Sequence, residues 1–137
     1  QQNLPADIAI FSAAVTDFKI NKKNTQKIKK SDNLTINLEK NIDILNFISN
    51  HNSMRPKLVI GFAAETNNVE ENASIKLVNK NCDWIIANDV SKIDSGFESD
   101  YNEVTIHYKN DKKEKLAHRK KSEISEEIVD RIVNLMN

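Results

Sequence analysis

Leu58-Val59-Ile60-Gly61-Phe62-Ala63-Ala64 is an almost unbroken apolar run that ends in Glu65-Thr66-Asn67, and its reading decides the fold. Seven such residues are too few for a helix core, and the β-branched residues near the start favour a strand buried on both faces. Asn67 is placed to cap a following helix, with Glu70 three residues on completing a capping box and Val69, Ala73 and Leu77 recurring at helical spacing to about Asn81. Asp83-Trp84-Ile85-Ile86-Ala87-Asn88-Asp89 is a second apolar run with a polar finish. Strand, helix and strand make a βαβ unit, and in open α/β sheets ligands bind beyond the carboxyl ends of the strands. A site is therefore expected around Phe62–Thr66 and Asn88–Ser91.

Working outward, Ile8-Ala9-Ile10-Phe11-Ser12-Ala13-Ala14-Val15 reads as another parallel core strand with a small-residue finish. A polar stretch follows, from Thr16-Asp17-Phe18 to about Asn33, and seven lysines stand against two acids between Lys19 and Lys40. Within it Lys27-Ile28-Lys29-Lys30 has no amphipathic register and reads as a mobile loop. Leu34–Glu39 alternates as a short strand, and Ile42, Leu45, Phe47 and Ile48 mark a short helix ending near Ser49-Asn50. Arg55-Pro56 then separates that helix from the central strand. Beyond Ser91, residues 92–102 read as a loop in which Phe97 is the apolar exception. Glu103–Tyr108 and Lys115–His118 form an antiparallel edge hairpin, and Ser122 caps a final helix whose Ile124, Ile128, Ile132 and Leu135 share one stripe. The expected fold is α/β, a three-layer Rossmann-like arrangement with a mostly parallel sheet and an antiparallel edge hairpin.

The chain has 137 residues, enough for one domain with a sizeable core. Twenty basic residues balance twenty acidic ones, which removes the overall charge footprint of a nucleic-acid binder. No apolar run approaches a membrane span of roughly 20 residues. Cys82 is the one cysteine, so there is no internal disulfide, and a reducing cytoplasm is the expected setting. The first residue is Gln1, and the expectation is a piece of a longer protein. With only Gly61 and Gly96, neither glycine-rich phosphate motif is present.

Candidate chemistry has competing readings at each position. Lys27, Lys29 and Lys30 could close over a polyphosphate, although charge runs usually mark solvated segments. Lys76 and Lys80 lie four apart on one helix face, suited to an anion or simply to solvent. Asp17, Asp43, Glu65 and Asp89 sit at element ends, where carboxylates more often cap than bind Mg²⁺. Phe62 and Cys82 read as core, and His51, His107 and His118 share no metal-ligand spacing.

The order of these signals resembles the phosphopantothenoylcysteine synthetase family, also called phosphopantothenate–cysteine ligase, in the ligase domain of the bacterial bifunctional coenzyme A biosynthesis protein. The likeness is carried by Ala13-Ala14-Val15-Thr16-Asp17-Phe18, Lys27-Ile28-Lys29-Lys30, Leu34-Thr35, Lys40-Asn41-Ile42-Asp43-Ile44-Leu45 and Gly61-Phe62-Ala63-Ala64-Glu65-Thr66. It continues through Ala73, Lys76 and Lys80, Ala87-Asn88-Asp89-Val90-Ser91, and Gly96-Phe97 with Ser99-Asp100 and Asn102. Ile42 stands where the family usually has proline.

The resemblance implies an enzyme that activates the carboxylate of 4′-phosphopantothenate with CTP, releases pyrophosphate, and lets the amine of cysteine attack the acyl-nucleotide. It implies that Asp17 and Phe62 belong to the cytidine pocket, that Ala13 also binds the nucleotide, and that Asn41, Ile42, Asp43, Ile44 and Leu45 form a loop against it. Lys27, Lys76 and Lys80 would contact phosphates, with Lys27 the catalytic residue. Mg²⁺ would be held mainly by phosphate oxygens, without a named protein ligand. FMN would belong only to an upstream decarboxylase. Residues 1–137 would be the larger C-terminal portion of the ligase domain, without its first strand and glycine-containing turn, and hence able to bind nucleotide but not to complete ligation. A cytoplasmic homodimer is implied, contacting through the hairpin near Glu103 to His118, with no nucleic-acid or membrane partner. The alternative is a non-catalytic nucleotide-binding or interaction module on the same scaffold.

Overall fold

Alternate residues of the central strand face two different cores, which is why it reads as one apolar run. In the computed structural model, which describes residues 3–21, 26–27, 33–91 and 99–137, β1 (Ile8–Phe11), β2 (Phe18–Ile20), β3 (Leu38–Lys40) and α1 (Ile44–Ser49) precede β4 (Leu58–Glu65). Then come α2 (Val69–Asn79), β5 (Trp84–Asp89), β6 (Tyr101–Tyr108), β7 (Lys113–Lys120) and α3 (Lys121–Met136). Five strands form a mixed sheet in the order β1-β4-β5-β6-β7. β4 pairs in parallel with β1 and β5, whereas β5/β6 and β6/β7 are antiparallel. The edge hairpin is present, longer than expected, but the sheet is half parallel rather than mostly so.

Leu58 and Ile60 of β4, Trp84 and Ile86 of β5, and Val104 and Ile106 of β6 point to one face, where Ile124, Ile128 and Ile132 of α3 cover them. Val59 and Ala63, with Ile85 and Ala87, point to the other, covered by Ala73 and Leu77 of α2. Ile60, Ile85, Ile86 and Ile106 are wholly buried, each stabilising the fold by about 1.5–3 kcal/mol relative to exposure. Among the described residues no helix is long and apolar enough to cross a membrane.

Several boundaries differ from the sequence reading for identifiable reasons. β1 stops at Phe11, and Ser12 to Val15 run on exposed outside any strand. It is the outer strand of the described sheet and is only partly buried. β3 begins at Leu38 rather than Leu34 and pairs with Phe18–Ile20, a strand hidden in the stretch read as polar. This two-stranded ribbon leaves Phe18, Ile20 and Leu38 each at least half exposed. Helix α2 is capped by Asn68, not Asn67. Asn68 takes a left-handed conformation with φ of 48°, which Asn tolerates better than most residues, and this turns the chain sharply out of β4. Glu70 forms no capping box because a helix starting at Val69 puts it second rather than third, and its carboxylate pairs instead with Lys113 Nζ at 2.8 Å. Helix α3 starts directly from β7, before Ser122, with the Lys120 backbone N–H donating to Glu123 Oε2 at 3.3 Å. The expectations for Ile28, Lys29, Lys30 and Phe97 lie outside the described residues.

At the amino ends of β4 and β5 the Arg55 guanidinium donates to the carbonyls of Ser49 (2.8 Å), Pro56 (2.9 Å) and Asn81 (3.0 Å) and to Asp83 Oδ2 (3.0 Å). Asp83 Oδ2 also accepts from the Val59 N–H at 2.8 Å.

A second polar anchor fastens α3 to the hairpin. Arg131 Nε donates to Glu114 Oε1 at 3.1 Å and Tyr108 Oη donates to Glu114 Oε2 at 2.8 Å. Arg131 first, then Tyr108, pull the Glu114 carboxyl down to about 2, while burial foremost, helped by Glu114, pushes the Tyr108 hydroxyl up to about 12. A carboxylate whose folded pKa lies below its unfolded value stabilises above the unfolded value and loses that contribution as pH falls toward the folded one. Glu114→Gln should therefore lower stability by about 1–2 kcal/mol at neutral pH, given partial solvent screening. Melting both proteins across the acid range should show the gap closing below the ordinary glutamate pKa and vanishing near pH 2. A gap that widens on acidification would contradict this assignment.

Candidate functional site

The loop entering α1 and the second half of α2 meet beside the outer half of β4. Asp43 caps α1, its Oδ1 accepting the Asn46 N–H at 2.8 Å, as a carboxylate at a helix start does. Its other oxygen pairs with Lys80 Nζ of the turn after α2. Burial pushes the Asp43 carboxyl up, but the Asn46 N–H, Lys80 and the charge of Lys76 together outweigh it and hold the group below its ordinary range. Lys76 Nζ donates to the Phe62 carbonyl at 3.0 Å. Two ammonium groups are thus gathered beside β4, one on a backbone carbonyl and one on a carboxylate, both partners that an incoming phosphate can replace.

Asn41 connects this loop to the segment following β1. Its backbone N–H donates to the Asp17 carbonyl at 2.7 Å, and its side chain donates to the Thr16 carbonyl at 3.1 Å while accepting from the Ile42 N–H at 3.0 Å. Asp17 and Asp43 are therefore tied into one frame, which spacing in the sequence could not reveal. Leu45 packs into the α2-side core, whereas Ile42 and Ile44 remain largely exposed. Phe62 is partly buried against the α3-side core. Ala13 lies exposed beyond β1, and Asp17 is exposed as well. Lys27 is exposed, and among the described residues no hydrogen bond or ion pair joins it to this group.

Gly61 sets how closely α1 approaches the sheet. A methyl group built there would stand 2.8 Å from both Leu45 Cδ2 and Ile85 Cδ1. The glycine is needed for this close approach, and the sequence signal for it was its being the one glycine in a buried strand.

Carboxylates elsewhere are already engaged. Asn72 Nδ2 donates to Glu65 Oε2 at 3.2 Å, and Asp89 Oδ1 accepts the Ser91 N–H at 3.0 Å and the Ser91 hydroxyl at 2.6 Å. Among the described residues no three His, Cys, Asp or Glu side chains converge to hold a metal ion. A donor set this sparse fits Mg²⁺ only as an ion carried largely by phosphate oxygens and water. Cys82 is wholly buried, its thiol pushed up to about 11 by burial first and the Asp83 charge second.

Residues 1–136 match the family described as the DNA/pantothenate metabolism flavoprotein C-terminal domain. The chain is 39% identical over 131 residues to the coenzyme A biosynthesis bifunctional protein CoaBC of Bacillus subtilis, covering 95% of this chain and 32% of that protein. It is 42% identical over 137 residues to the protein of the same name from Escherichia coli K12, covering 97% and 32%. The chain thus spans about a third of the length of these relatives. Among solved structures, the C-terminal domain of the coenzyme A biosynthesis bifunctional protein CoaBC superposes with a TM-score of 0.72 at 33% identity, over 98% of this chain and 56% of that one. A DNA/pantothenate metabolism flavoprotein from Streptococcus pneumoniae, at 22% identity and a TM-score of 0.66 over 96% of this chain and 62% of that one, shares the fold.

Gly61→Ala should push α1 from the sheet and cost about 1–3 kcal/mol, the usual range for overpacking. Adding Leu45→Ala to Gly61→Ala should recover part of that loss, which a double-mutant cycle by denaturant unfolding measures. Strict additivity of the two changes would show that Leu45 is not the residue displaced.

Proposed function

Because the chain belongs to the DNA/pantothenate metabolism flavoprotein C-terminal domain family, we propose that it is the C-terminal part of a phosphopantothenate–cysteine ligase and that the group around Asp43, Lys76 and Lys80 receives CTP. Residues 1–137 act as a single domain in this reading. The helices on both faces of the sheet support a three-layer, Rossmann-like description of the scaffold.

The observation that carries the reading is the convergence of Lys76 and Lys80 with the Asn41–Leu45 loop beside β4. Attack of the 4′-phosphopantothenate carboxylate on the α-phosphorus of CTP forms an acyl-cytidylate and expels pyrophosphate. The amine of cysteine then attacks the acyl carbon, forming the amide and releasing CMP. Negative charge grows on the departing pyrophosphate, and fixed cations stabilise that charge more than they stabilise the bound triphosphate. Lys76 and Lys80 serve this role by leaving the Phe62 carbonyl and Asp43 for phosphate oxygens. Lys27 joins them when nucleotide is bound, as the catalytic lysine. Ala13, Asp17 and Phe62 border the base, and Asn41 keeps Asp17 and the loop in register.

Mg²⁺, if bound with the nucleotide, would offset phosphate charge in this scheme, and FMN would enter only with a separate decarboxylase domain. The whole enzyme is cytoplasmic and homodimeric through the β6–β7 hairpin, which sedimentation of the parent with charge-reversed hairpin lysines would test. In this reading, completing ligation takes residues of the ligase domain in addition to these.

Calorimetric titration with CTP and Mg²⁺ should show binding that ATP does not reproduce. Lys76→Ala and Lys80→Ala should each weaken CTP by about tenfold, the loss expected for one charge-assisted contact. In the parent enzyme Lys27→Ala should lower turnover while leaving the fold unchanged. A folded chain that binds neither nucleotide, together with a parent indifferent to Lys27→Ala, would defeat the assignment.

A further inference from the structure

We propose that the flank of α2 facing away from Lys76 and Lys80 forms a second small-molecule site, which takes an organic acid with an apolar body and a hydrogen-bond donor. A cavity of about 370 Å³ lies there, between the second half of α2 and the end of β6 with its turn into β7. That volume is within the usual range for small-ligand pockets. Ser74 and Val78 of α2 and Asn81 beyond it line the cavity, while Lys76 of the same helix and Lys80 of the turn after it reach the Phe62 carbonyl and Asp43 instead.

The wall is chemically divided. Leu77 and Cys82 make an apolar floor, with the exposed Val78 at its rim. Lys109, Lys112 and Lys113 stand around it, with Asp111 the one carboxylate in the lining. Lys113 is paired with Glu70, and Lys109 donates to Asn81 Oδ1 at 3.1 Å, a neutral partner. The Lys112 ammonium lies over the Tyr108 ring, 5.3 Å from its centre. Three cations against Asp111 and Glu70 leave an excess of positive charge, which an anionic ligand complements.

His107 supplies the second requirement. It is 2% exposed, and its Nδ1 lies 3.3 Å from Ser74 Oγ. The single hydroxyl hydrogen of Ser74 is given to the Glu70 carbonyl at 2.9 Å. In the tautomer that matches this donation, Nδ1 carries the proton and Nε2 a lone pair. Burial foremost, then Lys113, lower the His107 pKa and keep the ring neutral, with Glu70 opposing in part. Nε2 has no hydrogen-bond partner among the described residues. A buried acceptor left bare is costly; Nε2 is sealed behind the cavity wall, so a ligand hydroxyl or N–H that displaces the wall around it offsets that cost. Neither the Asp43 loop nor Lys76 and Lys80 contribute to this cavity, so the inference stands apart from the nucleotide assignment.

The test is a nuclear magnetic resonance titration of the isotope-labelled chain with para-hydroxyphenylpropionate, alongside phenylpropionate, which lacks the hydroxyl, and para-propylphenol, which lacks the carboxylate. The first should shift the amides of residues 74–82 and 107–113 and the His107 ring signals, and each analogue should bind about tenfold more weakly. Val78→Trp, which fills the cavity from a position 77% exposed, should abolish the shifts in a spectrum otherwise retained. Lys109→Gln with Lys112→Gln should weaken the acid but not the phenol. Absence of shifts at millimolar ligand, shifts centred elsewhere, persistence in Val78→Trp, or equal affinity for all three compounds would each overturn the proposal.

Discussion

The planar guanidinium of Arg55 is the point on which the arrangement depends. Helices end with carbonyls that have no partner of their own, and here α1 and α2 finish side by side against the sheet. Ser49, at the end of α1, and Asn81, just beyond α2, both direct carbonyls at Arg55, which reaches Asp83 with the same fork. Asp83 in turn holds the first turn of the parallel ladder through Val59. One side chain thus satisfies two helix ends and locks them to the start of two strands. A lysine, whose three N–H groups radiate from one nitrogen, could not reach all four of these acceptors. Side-chain contacts reinforce the junction, since the buried Ser49 hydroxyl donates to the Lys80 carbonyl and Asn81 Nδ2 donates to the Ser49 carbonyl at 3.2 Å.

From that junction α2 acts as a partition. Its buried stripe of Ala73 and Leu77 fixes its rotation on the sheet, and rotation decides which polar residues face which neighbour. Lys76 and the following Lys80 are turned toward β4 and the loop entering α1, Ser74 toward the hairpin, and Asn81 bridges the end of α1 and the hairpin. Gly61 then sets the depth at which α1 sits, because Leu45 occupies the space a side chain would need. The distance between the Asp43 cap and the α2 ammonium groups follows from a missing methyl group and an apolar stripe.

Much of this frame was legible in the sequence. Two-sided burial gives continuous apolar runs, so β4 and β5 stood out, and the helical stripe of Ile124, Ile128 and Ile132 fixed α3. Harder to see was β2, where only Phe18 and Ile20 flank a lysine and pairing with a distant segment supplies the structure. The cap of α2 was misplaced by one residue because Asn67 and Asn68 are chemically alike and only backbone conformation separates them. At the site, the types and spacing of Lys76, Lys80 and Asp43 were readable, and the resemblance drew them together. Their actual partners were not readable: the Phe62 carbonyl, the Asp43–Lys80 pair and the Asn41 clasp all join residues far apart along the chain. The cavity beside His107 left no motif, since its wall is assembled from a helix and a turn separated by β5.

Burial of the Cys82 thiol has a consequence for chemical self-compatibility. The proposed reaction generates an activated acyl group intended for an external amine, in the company of free cysteine, and a reactive protein thiolate nearby would compete for it. With its pKa near 11 and no exposed surface, Cys82 remains a neutral thiol at physiological pH, and a neutral thiol is a poor nucleophile. If the proposed reaction takes place here, this thiol would not compete with the substrate amine for the acyl group.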